Sequence, residues 1–197
     1  IFQVAEVVRD HLRRSPMAGQ FNSLVDLWSQ SRTRYADRPL FGTKRGEDWH
    51  WTTYADLGAR IDACRGGLAR LGVGRGDTVG MVADNRPEWA IACYASYGRG
   101  AAFVPMYEAQ KLDEQVFILR DAGCVVAFVA TPKLYERLVA ARSELPALRR
   151  VIGLDLPADH PDSFAALCAD PSAPAPELPT AADTAGFIYT SGTTGQP

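Results

Sequence analysis

No apolar run in this 197-residue chain approaches the roughly 20 residues that a membrane-spanning helix needs, which excludes a transmembrane reading. An excess of one charge is also missing. With 21 Lys and Arg against 23 Asp and Glu the net charge is -2, so there is no whole-chain electrostatic case for binding nucleic acid or an anionic membrane. Cysteine is sparse: Cys64, Cys93, Cys124 and Cys168 stand far apart with no CxxC pair. That spacing leaves a metal site or a disulfide pair open, beside the plainer reading of four small buried or half-buried side chains in a reducing compartment. The plainer reading is adopted, and with it a cytoplasmic location. His11, His50 and His160 are equally scattered and read as solvated surface residues. The first residues, IFQVAEVVRDHLRRSPM, place their charges after their apolar residues, the wrong order for a secretory signal, and the absent initiating Met suggests a processed or excised segment.

What is present fits a soluble globular chain, with 47% hydrophobic and 22% charged residues and enough length for one large or two small domains. Residues 1–35 read as two amphipathic helices. Val4, Val7, Val8 and Leu12 share one face and Leu24, Leu27 and Trp28 another, with SPMAG as the break. Residues 40–53 read as a hairpin turning at RGE. Thr53 and Asp56 make a capping box, and Leu57, Ile61, Cys64, Leu68 and Leu71 then recur at helical spacing until Gly72 ends the helix as a left-handed cap.

Strands and helices alternate from there. DTVGMVA (77–83), AAFVPM (101–106), VVAFVA (125–130) and RRVIGLD (149–155) are short apolar runs suited to buried strands. Between them lie a helix capped by Asn85, with Pro87 in its first turn, a helix from Leu112 to Leu119, and one opened by Thr131-Pro132 and running through Leu138. This pattern predicts an α/β fold, a mostly parallel sheet flanked by helices, with the small β-hairpin near the N-terminus. Residues 156–182 hold six prolines and read as surface connection with one short helix around Phe164 to Leu167. GFIYT (186–190) reads as a further buried strand.

Two stretches are rich in glycine. In LGVGRGD (71–77) a helix precedes and a strand follows, the inverse of a dinucleotide fingerprint, so it is a helix cap and turn. TSGTTG (190–195) follows a strand. Gly192 and Gly195 let backbone N–H groups converge as an anion-binding nest, and Thr190, Ser191, Thr193 and Thr194 add hydroxyls able to reach phosphate oxygens or Mg²⁺. The alternative is a flexible polar turn. It is not a Walker A loop, because the second glycine would have to stand where Pro197 or Ser191 does.

The run YTSGTTGQP (189–197) resembles the phosphate-loop signature of the adenylate-forming (AMP-binding) synthetases, a family that includes acyl-CoA synthetases, luciferases and peptide-synthetase adenylation domains. WTTYADLGARIDACRGGLARLGVGRGDTVGMVADNRPEWAIACYA and GRGAAFVPMYEAQKLDEQVFILRDAG resemble the family's upstream segments in order and spacing. FVPMYE, with Tyr107 two residues after Pro105, looks most like the long-chain fatty acyl-CoA synthetases.

The resemblance implies a two-step ligase. A fatty carboxylate attacks the α-phosphate of Mg-ATP to give acyl-AMP and pyrophosphate, and coenzyme A then takes the acyl group and releases AMP. Thr190, Ser191, Gly192, Thr193, Thr194 and Gly195 are the expected nucleotide contacts, with Thr190 the hydroxyl nearest Mg²⁺. Residues 1–35 are expected as a helical segment and 36–197 as an incomplete α/β N-terminal domain ending within the phosphate loop. The lid domain and most catalytic groups would then lie beyond residue 197, leaving the fragment alone inactive. Homodimer pairing and peripheral membrane contact through the N-terminal segment are compatible with the family. A fatty acyl-AMP ligase, another carboxylate-adenylating domain, or a non-catalytic module retaining the fold are the alternatives.

Overall fold

The computed structural model describes residues 21–190. The helix expected on Val4 to Leu12, the SPMAG break, His11 and residues 191–197 lie outside the described residues.

Helix α1 (Leu24–Arg34) opens on Ser23, whose hydroxyl accepts from the Asp26 N–H. The helix is turned from the face expected. Val25 is buried while Leu24 is exposed, because Trp28 packs between Tyr54 and Tyr94 with ring centroids 6.0 and 5.2 Å away. A 2.6 Å ion pair from Arg32 to Asp62 fixes the same orientation. The hairpin follows as β1 (Pro39–Arg45) and β2 (Asp48–Thr53), antiparallel, turning at Gly46 with φ of 62°. Helix α2 (Tyr54–Arg70) starts with the expected capping box, Thr53 and Asp56 each bonding the other's backbone N–H. Gly72, at φ 74°, takes the chain out of it in the left-handed region.

The second unit is a parallel sheet of β3 (Thr78–Val82), β4 (Ala102–Met106), β5 (Cys124–Val129) and β6 (Arg150–Gly153), in spatial order β4-β3-β5-β6. Every residue of β3 and β5 is buried. That is why these strands read as unbroken apolar runs rather than alternating ones. Helix α3 (Pro87–Tyr97) connects β3 to β4, α4 (Leu112–Asp121) connects β4 to β5, and α5 (Pro132–Ala140) connects β5 to β6. The chain moves one way along the sheet from β3 to β4 and the other way afterwards. Right-handed crossovers therefore place α3, with α2 against it, on one face and α4 with α5 on the other. The short helix α6 (Phe164–Leu167) packs beside α2 and β6.

Two local expectations are corrected. Helix α3 is capped by Arg86, with no side-chain cap bond, rather than by Asn85. Pro87 occupies the first helical position and holds the residue before it extended, which makes Arg86 the boundary. The second correction concerns GFIYT, which forms no buried strand. Only Gly186 bridges β4, through Phe103, and Phe187 and Ile188 are exposed. Phe103 donates to the Ala185 carbonyl and accepts from the Phe187 N–H. The next outward donor along β4 would belong to residue 105, a proline with no N–H, so the ladder has nothing to continue on.

Candidate functional site

The segment that leads towards the expected phosphate loop is held by a strap laid over the first helical layer. Residues 168–185 leave α6 and cross α2, where arginines take backbone carbonyls at the end of α6 and in the strap. Arg70 donates to the Leu167 carbonyl at 2.9 Å, and Arg65 Nε to that of Pro174 at 3.1 Å. Arg65 is buried and neutralised by Asp62 at 2.7 Å. A side chain at Gly66 would collide with the Ser172 carbonyl, so glycine is what lets the strap approach the helix. Further on, the Glu177 N–H bonds the Gly98 carbonyl, and Arg75 pairs with Glu177 at 3.1 Å and Asp183 at 2.7 Å. These contacts deliver Gly186 to the edge of β4. There a Cβ would strike the Phe103 carbonyl oxygen, so only glycine fits.

Beyond Gly186 the chain turns towards α4. The Tyr189 hydroxyl donates to Asp121 Oδ2 at 2.7 Å, beside the C-terminal end of that helix. Burial, and then this bond to a carboxylate, push the phenol up. Thr190 is exposed, next to that anchored tyrosine. Ser191, Gly192, Thr193, Thr194 and Gly195 lie outside the described residues.

Ligands of open α/β sheets sit at the carboxyl ends of the strands, where successive connections leave in opposite directions. Here that point falls between β3 and β5. It is spanned by Arg86, which reaches Asp155 beyond β6 at 2.8 and 3.2 Å and holds Glu88 at 2.9 Å. Arg60 reaches the other oxygen of Glu88 at 2.6 Å. Burial pushes Glu88 up, but the bonds from Arg86 and Arg60 outweigh it and leave the carboxyl below its usual value. The bond to Asp155 leads in holding Arg86 charged. Arg86 is thus engaged by carboxylates and acts as a structural clamp across the switch point. The sequence reading puts the helix start at Asn85 and Pro87 and gives Arg86 between them no role of its own, and no local spacing connects it to Asp155.

At the carboxyl end of β4 the PMYEAQ turn is held from inside. The buried Gln115 amide donates to the carbonyls of Gln110 at 3.2 Å and Tyr107 at 3.4 Å, and the Tyr107 N–H bonds Gln110 Oε1 at 3.0 Å. Tyr107 itself is the most exposed large hydrophobic side chain among the described residues, at 76%. The residue singled out in FVPMYE therefore stands clear of the sheet on a braced turn.

Among the described residues no group of three or more His, Cys, Asp or Glu could hold a metal ion. What they offer near the expected loop is the Thr190 hydroxyl, a hard oxygen donor. It suits a Mg²⁺ ion whose remaining ligands are nucleotide phosphates and water, rather than one caged by protein. Among the described residues no helix is long and apolar enough to cross a membrane.

The family model described as AMP-binding enzyme matches residues 28–197. Among curated proteins, a long-chain-fatty-acid–CoA ligase, FadD15 of Mycobacterium bovis, is 34% identical over 156 residues, 76% of this chain and 26% of that ligase. A linear gramicidin synthase of Brevibacillus parabrevis is 33% identical over 145 residues, 74% of this chain but 3% of that much longer protein. Among solved structures, the inhibitor-bound N-terminal domain of FACL13 from Mycobacterium tuberculosis aligns with a TM-score of 0.76 at 26% identity. That alignment covers 90% of this chain and 43% of the solved one. The chain spans about a quarter of the length of the curated ligase it matches. The sheet order, the braced turn after β4 and the approach to TSGTTG thus have a common frame: this chain belongs to the AMP-binding enzyme family of adenylate-forming ligases.

Proposed function

We propose that the chain is the N-terminal part of a long-chain fatty acid–CoA ligase, and that Thr190 to Gly195 form its phosphate-binding loop. The observation that carries this is the nine-residue run 189–197, which begins at a tyrosine anchored to α4 in a fold shared with acyl-CoA ligases. In the first step a carboxylate oxygen bonds to the α-phosphorus of ATP while the bond to the bridging oxygen breaks, and pyrophosphate leaves. In the second the coenzyme A sulfur bonds to the acyl carbon, AMP departs, and the thiol proton passes to solvent or a base.

Negative charge grows on the β- and γ-phosphates during the first step. Backbone N–H groups of Gly192 and Gly195 and the hydroxyls of Thr190, Ser191, Thr193 and Thr194 would lower its energy by donating to those oxygens. Mg²⁺ carried by the nucleotide would neutralise part of that charge, with the Thr190 hydroxyl as the protein's hard donor. The resemblance carried by FVPMYE and the identity with FadD15 favour a long-chain acid. The similarity to gramicidin synthase supports a second reading, an adenylating domain that hands its product to a carrier-protein thiol.

The test is ATP–pyrophosphate exchange by the full-length protein with carboxylic acids of increasing chain length. Exchange that rises with long acyl chains supports the proposal, and acyl transfer to free coenzyme A separates the first reading from the second. Folded protein that gives no exchange with any fatty acid in the presence of Mg-ATP overturns it.

A further inference from the structure

Cys64 lies in the middle of α2 and is fully buried, and Cys168 follows α6 at the start of the strap and is half-buried. Though far apart in sequence, the two thiols are brought to the same contact between α2 and α6. The elements carrying them are pressed close. A side chain at Gly67 would meet the Leu167 carbonyl at 2.5 Å, and Arg70, from the same helix, holds that carbonyl. Cys93 and Cys124 are buried without such a partner thiol, and burial pushes them up to about 11 and about 12. Cys168 differs from all three. The neighbouring Cys64 thiol pulls it below the usual thiol value against the opposing effect of its burial, and Arg60 and Arg70 lower it further. Cys64, fully buried beside it, is held well above.

We propose that Cys168 and Cys64 form an oxidation site at which a hydroperoxide converts the thiol pair into a disulfide tying the strap to α2. Cys168 is the attacking thiolate because it is the accessible and more acidic member of the pair. Its sulfur bonds to a peroxide oxygen, the O–O bond breaks, and the departing hydroxide takes a proton to leave as water. The resulting sulfenic acid faces Cys64. The Cys64 sulfur bonds to it, the S–O bond breaks, and hydroxide leaves with the Cys64 proton as a second water. Overall two thiols and one hydrogen peroxide become one disulfide and two waters. The cross-link would fix the strap at its first residue, upstream of Gly186 and the segment leading to Thr190.

The experiment is exposure of the folded protein to hydrogen peroxide, followed by thiol titration after denaturation and non-reducing tryptic mass mapping. The expected result is loss of two of the four titratable thiols and a new species joining IDACR (61–65) to the peptide that begins at Val151. Cys168→Ser should abolish that species, whereas Cys93→Ser and Cys124→Ser should leave it. Four thiols remaining after peroxide, Cys168 carried to sulfinic acid without a cross-link, or a disulfide between other cysteines would each overturn the proposal. Mapping of the unsubstituted protein decides the matter even if a variant fails to fold.

Discussion

Gly80, at the centre of β3, offers a direct test of how the sheet packs on α4. A Cβ there would stand 2.5 Å from Leu119 Cδ2, 3.3 Å from Met106 Cε and 3.4 Å from Cys124 Sγ. Leu119 is 1% exposed, so its Cδ2 must shift within a filled core rather than into solvent. Two effects oppose each other in Gly80→Ala. Alanine restrains the unfolded chain and suits a strand better, worth about 0.5–1 kcal/mol. Forcing a methyl into a filled core costs about 1–3 kcal/mol. The contact distance decides for the second, so Gly80→Ala should destabilise, by up to about 2.5 kcal/mol when those ranges are combined. Leu119→Ala alone should cost about 2–5 kcal/mol through the cavity it leaves. In the double variant the new methyl occupies part of that cavity. The combined loss should therefore fall short of the sum by about 1 kcal/mol or more, within the range of directly contacting pairs. Urea unfolding of the four proteins measures this. Stability of Gly80→Ala at or above that of the parent, or losses that add, would refute the packing argument.

Gly186→Ala should detach the last described segment from β4 and raise proteolytic cleavage after Phe187, with little change in global unfolding, since the segment joins the sheet at a single bridge. The Glu88 carboxyl is depressed in the folded state. Its stabilisation is therefore present above the unfolded glutamate value and lost as pH falls through the folded one. Stability should drop more steeply below pH 4.5 in the parent than in Glu88→Gln, as read by thermal midpoints across the acid range. Thr190→Ala should lower ATP–pyrophosphate exchange by the full-length protein about 10²-fold, the usual effect of losing one donor to a developing charge. An unchanged rate would remove Thr190 from the loop's chemistry. Native-state alkylation near pH 8 should label Cys168 well before Cys93 or Cys124, whose thiols stay protonated there.

Much of the architecture is legible because its determinants are local. Thr53 and Asp56 announce the start of α2, Thr131 and Pro132 that of α5, and Phe164 to Leu167 form the short helix read within the proline-rich connection. The four apolar runs appear as strands within a residue or two of their expected limits. Strand order was not legible, since an apolar run carries no label for its neighbour. The failures share a cause in long-range contacts. The rotation of α1 depends on Trp28 meeting two tyrosines from other helices. GFIYT has the side chains of a buried strand, but a strand needs a partner edge able to bond with it. The link from Arg86 to Asp155 and the meeting of Cys64 with Cys168 cross too much sequence for any spacing rule. As for the candidate site, composition and order alone marked TSGTTG, while the arginine-held strap that carries the chain there left no local sign.

The outer edge of β4 has a consequence for how the protein behaves when crowded. Along this edge and just past its end, three successive alternate positions offer no free N–H. Phe103 spends its donor on Ala185, Pro105 has none, and Tyr107 gives its own to Gln110. A foreign strand approaching this edge would find carbonyls but no donor in the places a ladder requires. Exposed sheet edges ordinarily nucleate sheet-to-sheet aggregation. This one is chemically blunted by the proline of FVPMYE and the glutamine three residues beyond its tyrosine. Concentrated solutions should accordingly resist the growth of intermolecular β-structure from β4, and Pro105 is the residue whose replacement would reopen that route.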